Sequence, residues 1–141
     1  MVVVAAIISV VFFLLAILHL YWAYGGKVGI NKVIPVVEGE PAIETGKTVT
    51  LLVAFGLIGV AGVSYSLGNM NVSSYEYGNY LTSAGWILAF VFLGRAVGDF
   101  KLVGFFKKYK GTEFAVYDTR YYSPFCLSVS AAFVFLSENQ P

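Results

Sequence analysis

A small set of ionisable and aromatic side chains in this chain could bind a ligand or transfer a proton. His19 is the only histidine, and its ordinary pKa near ~6.5 would let it titrate close to neutral pH. Arg95 and Asp99 lie four residues apart, so on a helix they would project from one face. The candidate ligand-binding set is His19, Trp22, Arg95, Asp99, Asp118, Arg120 and Tyr122.

The composition indicates that an integral membrane protein positions these residues. The chain has 141 residues, of which 58% are hydrophobic and 12% are charged, whereas a soluble domain usually has about 25% charged residues. The charges are also segregated between long uncharged runs, which is typical of chains that cross a bilayer. We therefore expect one domain in the cell membrane.

Four apolar stretches predict an all-α integral membrane protein with four transmembrane helices in an antiparallel bundle. The predicted spans are residues 2–24, 48–67, 80–100 and 124–137 of a single domain, 1–141. The first stretch has no basic segment before it and is longer than a signal-peptide core, so we interpret it as a retained helix. Ser123 and Pro124 predict the start of the fourth as N-cap and first helical residue.

The positions of lysine and arginine predict the orientation. With four spans, all nine of these residues lie in the first and third loops or at their edges. The positive-inside rule then places both loops in the cytoplasm and both termini outside. This topology would bring the candidate ligand-binding residues together near the cytoplasmic face, where the start of the second span would add Glu44, Thr48 and Thr50.

Arg95 permits two interpretations. An arginine inside a membrane is costly, so it needs a partner, and Asp99 or Asp118 is a candidate. The pair could simply lock the third loop onto the bundle. Alternatively, Arg95 binds an anionic group, Asp99 orients it, and His19 is the titratable member of a pocket that opens to the cytoplasm. His19 could also just form a hydrogen bond across the bundle.

Two further surfaces have candidate partners. The basic and aromatic stretch around Phe105–Gly111 predicts contact with anionic lipids, or a specific headgroup or nucleotide site, and is too small for nucleic acid. Small residues in the second span favour close helix packing, either within the bundle or in a homodimer. The membrane-surface residues would be Lys101, Lys107, Lys108 and Lys110, and the dimer residues would be Gly59, Gly62 and Ser66.

The sequence carries no motif that identifies a reaction. One cysteine excludes an internal disulfide and a cysteine-based metal site, and one histidine argues against a histidine cluster, so we expect no metal site. The motifs GxSxG, HExxH and CxxC and the P-loop are missing from the sequence. Catalytic residues and cofactors therefore stay unassigned.

Two blocks of sequence carry a family resemblance. HLYWAYGG at 19–26 and GRAVGDFKLVGFFKKYKGTEFAVYDTRYYSPFCL at 94–127 resemble the small four-span bacterial membrane family catalogued as domain of unknown function 3995. The resemblance covers essentially the whole chain and implies a bacterial inner-membrane protein without assigning an activity. The matching positions are His19, Trp22, Gly25, Gly26, Arg95, Gly98, Asp99, Phe100, Asp118, Thr119, Tyr122, Ser123 and Pro124.

Three functions fit these observations. The first is binding, or carriage across the membrane, of a small anionic or lipid-like ligand in the cytoplasm-facing pocket. The second is an intramembrane enzyme that uses His19 with Asp99 or Asp118 as acid and base on an apolar substrate. The third is a structural partner subunit in which the polar residues only stabilise the fold.

Overall fold

A computed structural model describes residues 1–37, 40–42 and 46–140 of the chain, so Glu44 lies outside the described residues. The regular secondary structure of the described part is helical apart from one two-stranded sheet, which confirms the all-helical prediction. The helices are α1 Val2–Ala23, α2 Ile30–Val33, α3 Lys47–Asn69, α4 Gly78–Val97, α5 Glu113–Tyr117 and α6 Ser123–Glu138. A 3-10 turn covers Val72–Ser74, and a π-helical turn covers Asp118–Tyr122. The antiparallel strands are β1 Val36–Val37 and β2 Glu40–Pro41.

Three helices within the described residues, α1, α3 and α4, are long and apolar enough to cross a membrane. They have 22, 23 and 20 residues, consistent with the length that ~30 Å of hydrocarbon requires. These helices indicate a membrane protein. Helix α6 has only 16 residues, so the fourth span and the orientation of the termini stay predictions.

Helices α1 and α3 pack as an antiparallel pair through small residues. Ser64 Oγ donates to the main-chain oxygen of Ala5 at 3.1 Å, and Ser9 Oγ donates to that of Ala61 at 3.0 Å. Gly68 faces Ala5 so closely that a Cβ at this glycine would overlap the alanine side chain. Small residues let two helix backbones approach closely, and serine hydroxyls can then form hydrogen bonds from one helix to the other.

Helices α4 and α6 form the second antiparallel pair. Ser130 Oγ donates to the main-chain oxygen of Ala89 at 2.7 Å, and the rings of Phe92 and Phe133 stack with centroids 6.3 Å apart. Ser137, near the end of α6, lies against Gly85 near the start of α4. The two helices therefore run side by side in opposite directions.

Phenylalanines join the two helix pairs. The Phe12 ring lies 5.2 Å from that of Phe92 and 6.0 Å from that of Phe125, and Phe12 is buried. The Gln140 amide donates to the main-chain oxygen of Leu67 at 2.9 Å. The ends of α3 and α6 therefore lie on one side of the bundle. Because both helix pairs are antiparallel, the ends of α1 and α4 lie on the opposite side, next to the starts of α3 and α6. We call this side of the bundle the Arg95 end and the other the Gln140 end.

Helix α6 does not begin at an N-cap, contrary to the prediction. Ser123 has helical dihedral angles (φ −68°, ψ −45°), whereas an N-cap residue is non-helical, and its Oγ has no hydrogen-bond partner among the described residues. Tyr117 and Tyr122 are also helical, so one helical path runs from Glu113 to Glu138. Pro124 has no N–H to donate, and the wider π-helical turn directly precedes its helix.

The glycines proposed for helix packing lie on the outside of the bundle. Gly59 and Gly62 are exposed, and a Cβ at either would have no described neighbour within 4 Å. The buried face of α3 is instead made by Ala54, Ala61, Ser64, Leu67 and Gly68. The interpretation that Gly59 and Gly62 pack inside the bundle is therefore wrong, and the homodimer stays a prediction.

Candidate ligand-binding site

A tight loop folds back onto α4 directly after the helix ends. Gly98 and Gly104 have φ angles of +92° and +89°, which favour glycine, and a Cβ at either would overlap backbone atoms near the other. The N–H of Phe105 donates to the main-chain oxygen of Ala96 at 2.9 Å. The loop thus presents the N–H of Gly104 beside the last turn of α4.

Asp99 stabilises this loop and does not orient Arg95. Its Oδ1 accepts hydrogen bonds from the N–H groups of Lys101, Leu102 and Val103 at 2.9, 2.7 and 2.9 Å. Desolvation alone would raise the pKa of Asp99, but these donors outweigh it and leave the pKa below its ordinary value. Of the two candidate partners of Arg95, Asp99 is therefore not the one that pairs with it, because α4 ends at Val97, before the helix reaches Asp99.

Asp118 is the partner of Arg95. The aspartate is fully buried, and its Oδ1 accepts from Arg95 Nη2 at 2.8 Å. Its Oδ2 accepts from the N–H of Gly104 and from Lys107 Nζ, both at 2.8 Å. Burial opposes ionisation, yet the hydrogen bonds from Lys107 and Arg95 hold the pKa of Asp118 below its ordinary value.

Lys107 is buried, which corrects its predicted place on the membrane surface. The residue is 2% exposed. Its Nζ donates to the main-chain oxygen of Gly104 at 2.8 Å, to Asp118 Oδ2 at 2.8 Å and to Thr119 Oγ1 at 2.6 Å, so each ammonium proton has an acceptor. The other predicted surface lysines, Lys101, Lys108 and Lys110, are exposed.

The Asp118 cluster consists of Arg95, Gly104, Lys107, Asp118 and Thr119, and it carries an unbalanced positive charge. Its described side chains provide two cations and one carboxylate. Arg95 Nη1 is buried and has no hydrogen-bond partner among the described residues. A buried donor without an acceptor costs free energy, so Nη1 of Arg95 is suited to donate to a bound molecule.

Arg95 lies at the wall of a cavity of about 660 Å³ between the two helix pairs. This volume is within the ~300–1,000 Å³ typical of small-molecule sites. Most of the described lining residues are apolar, and they come from α1, α3, α4, α5 and α6 and from the segment that carries α2. Among the described residues that line the cavity, the polar ones are His19, Trp22, Lys32, Thr50, Arg95, Tyr122 and Cys126.

His19 and Trp22 form one side of this wall. His19 Nδ1 lies 2.8 Å from the main-chain oxygen of Leu15, and because a carbonyl oxygen only accepts, Nδ1 is the donor in this contact. The bond lies within α1 and does not cross the bundle. The ring meets Trp22 edge to face at 5.0 Å, and Trp22 Nε1 donates to the main-chain oxygen of Val28 at 2.9 Å.

Tyr122 joins the cavity wall to the segment that carries α2. Its hydroxyl donates to the main-chain oxygen of Lys32 at 3.3 Å. Lys32 Nζ lies 4.9 Å from the centre of the Tyr117 ring.

Arg120 is exposed, with its guanidinium carbon 5.6 Å from the centre of the Tyr121 ring. It is not among the described residues that line the cavity. The structure thus brings five of the predicted site residues into contact with the cavity or the Asp118 cluster: His19, Trp22, Arg95, Asp118 and Tyr122.

Residues 12–133, which include both sides of the cavity and the Asp118 cluster, match a family model described as "Protein of unknown function (DUF3995)". The chain belongs to this family. The resemblance read from the two sequence blocks is therefore confirmed, and the matched DUF3995 region contains every residue of the candidate ligand-binding set. No curated protein and no solved structure matches the chain.

Proposed function

We propose that the protein binds a small amphipathic anion in the cavity at the Arg95 end of the bundle. The observation that carries this proposal is Arg95 Nη1, a buried donor without a described partner on a residue that lines a largely apolar cavity. An anionic head would accept from Arg95 and balance the positive charge of the Asp118 cluster. An apolar chain would lie among Phe12, Phe92 and Phe125.

The charges around the cavity favour an anion over a neutral lipid or a cation. Asp118 already accepts from Arg95, Gly104 and Lys107, so its oxygens have little capacity left for a cationic ligand. Lys32 adds a further cation to the described lining. A planar guanidinium can form paired hydrogen bonds with either a carboxylate or a phosphate group. The proposed ligand can therefore carry either of these head groups.

The proposal includes a fourth membrane span within the helical path formed by α5, the π-helical turn and α6. This path covers Glu113–Glu138, and at 1.5 Å per residue it is longer than ~30 Å of hydrocarbon, so its first turns, which carry Asp118, would lie outside the hydrocarbon. Contacts between this path and α4 extend from Arg95–Asp118 at one end to Gly85–Ser137 at the other. The helical path that ends in α6 therefore runs alongside α4 through the same depth of the membrane.

In the proposed orientation the Arg95 end faces the cytoplasm and both termini lie outside. Lysine and arginine residues precede α3, follow α1 and α4, and precede α6, and this grouping at one end favours the cytoplasmic side. The exposed Lys101, Lys108 and Lys110, beside the exposed rings of Phe100 and Phe106, would contact anionic headgroups there.

The enzyme hypothesis receives no support from the contacts of Asp99 and Asp118, the carboxylates proposed to act with His19. Asp99 accepts three backbone N–H groups, and Asp118 is buried between two cations. Both arrangements stabilise a carboxylate that stays ionised, whereas a general acid or base must exchange its proton near the working pH. The Asp118 cluster also holds the third loop on the bundle. Its residues can therefore stabilise the fold and bind a ligand at the same time.

Cys126 provides a direct test, because it is the single cysteine of the chain and lines the cavity. The protein in phosphatidylcholine vesicles is treated with N-ethylmaleimide, and alkylation is followed by intact mass. Decanoate, decanol and decyltrimethylammonium serve as anionic, neutral and cationic probes of equal chain length. We expect decanoate to slow alkylation of Cys126 more than either of the other two.

Arg95→Gln and Arg120→Gln form a matched pair for this test, since each removes one positive charge and only Arg95 lines the cavity. The preference for decanoate should disappear in Arg95→Gln and persist in Arg120→Gln. Equal protection by decanoate and decanol in the native protein would contradict the proposal.

A further inference from the structure

A second pocket lies at the Gln140 end of the bundle, away from Arg95. Its volume is about 410 Å³, which is also within the ~300–1,000 Å³ of small-molecule sites. It lies where α4 begins and α6 ends. Most of its described lining is polar but uncharged, and these polar residues are Asn79, Thr82, Ser83, Ser137 and Gln140.

Two of these residues have buried oxygens without a hydrogen-bond partner among the described residues, namely Ser137 Oγ and Gln140 Oε1. Ser137 is only 4% exposed. A helical serine can donate to the carbonyl four residues earlier, as Ser128 does to Pro124 at 3.0 Å. The Ser137 hydroxyl does not form that bond, so it keeps its full capacity to donate and accept.

The orientation of the Gln140 amide is fixed by its own hydrogen bonds. Its Nε2 donates to the main-chain oxygens of Leu67 and Leu136 at 2.9 and 2.6 Å. Carbonyl oxygens only accept, so the nitrogen must be the atom that faces them. Oε1 is then left as an acceptor that requires a donor from another molecule.

These requirements define the chemistry of an occupant. Gln140 Oε1 needs a donor, whereas Ser137 Oγ can take either a donor or an acceptor, and a hydroxyl group supplies both. No charged side chain is part of the described lining, so an ion would lose hydration without gaining a counter-charge. We propose that this pocket binds a small uncharged polyol through Ser137 and Gln140.

A cysteine at position 83 reports on the pocket without removing either proposed contact. Ser83 lines the pocket and is exposed. The variant Ser83→Cys in a Cys126→Ser background is labelled with a water-soluble maleimide, with and without glycerol or glucose. Binding should slow labelling by the factor 1 + [L]/Kd, about threefold at twice Kd. Asn69→Cys in the same background, exposed at the same end of the bundle, controls for viscosity and should show no protection.

The contacts and the ligand class are tested separately. Adding Ser137→Ala and Gln140→Leu to the reporter should abolish protection by the polyols while labelling continues. Acetate and tetramethylammonium should give no protection. The proposal is overturned if the cysteine at position 83 does not react, if neither polyol protects it, if an ion protects it equally, or if protection survives loss of Ser137 and Gln140.

Discussion

Lys107 Nζ lies 2.8 Å from Asp118 Oδ2, and both side chains are almost completely buried. Arg95 occupies the other oxygen of the same carboxylate. One aspartate therefore links the end of α4, the following loop and the start of the last helical path. This arrangement keeps Arg95 at the cavity wall while one of its nitrogens is left without a described partner.

The first prediction concerns the buried pair. We expect Lys107→Met to destabilise the fold by about 3–5 kcal/mol, because removing one partner leaves the other charge buried and less well paired. The matched change Lys108→Met, at an exposed neighbour, should alter stability by no more than ~0.5 kcal/mol. Denaturant unfolding in detergent measures both, and similar losses in the two variants would argue against the buried cluster.

The second prediction is a loss of stability in acid. The folded-state pKa of Asp118 lies below its ordinary value, which is about 3.9 in an unfolded chain. Ionised Asp118 therefore stabilises the fold above that unfolded pKa, and the stabilisation is lost as the pH falls through the folded pKa. Unfolding free energies between neutral pH and about pH 2 should decline less steeply for Asp118→Asn than for the native protein.

Asp99 contributes in the same direction, because its pKa is also lowered. We expect the double variant Asp99→Asn, Asp118→Asn to show a flatter profile than either single variant. Glu113→Gln, at an exposed carboxylate, provides the control. An unchanged acid slope in Asp118→Asn would contradict the assignment of Asp118 as a stabilising carboxylate.

The third prediction tests the orientation in the membrane. Lys108→Cys in a Cys126→Ser background introduces a single thiol in the exposed part of the third loop. A membrane-impermeant maleimide should label it in inside-out vesicles and fail to label it in intact cells. Labelling from outside the cell would reverse the proposed topology and place the cavity on the other side.

The fourth prediction concerns the homodimer suggested by Gly59, Gly62 and Ser66. Because Gly59 and Gly62 are exposed and have open space around them, a second copy could approach this face of α3. Gly62→Cys in the Cys126→Ser background should form a disulfide-linked dimer under mild oxidation in vesicles. Val10→Cys, on the exposed side of α1, is the control, and equal cross-linking at both positions would argue against a specific contact.

Hydrophobicity predicted the helical architecture well. Long uncharged stretches identified α1, α3 and α4 because a membrane helix must satisfy its backbone internally and expose apolar side chains. Helix α4 ends at Val97 and not at the predicted residue 100, because the chain turns at Gly98 (φ +92°). Ser123-Pro124 resembles a helix start, but here it lies inside a continuous helical path.

The candidate residues were predicted to gather at one end of the bundle, where the structure places His19, Arg95 and Asp118, but their contacts were predicted only in part. Charge distribution brought Arg95, Asp118 and His19 to one end of the bundle, but it could not choose between Asp99 and Asp118 as the partner of Arg95. Lys107 and Lys108 are adjacent residues of the same type, so local sequence could not distinguish the buried one from the exposed one. That difference depends on the turn that Gly98 and Gly104 allow.

Native mass spectrometry of the purified protein tests ligand binding at Arg95, comparing the native chain with Arg95→Gln and Arg120→Gln. We expect the native protein and Arg120→Gln to carry a small amphipathic anion, and Arg95→Gln to fold but to have lost it. An empty native protein would contradict the proposed binding. So would an Arg95→Gln protein that retains the same molecule at the same occupancy.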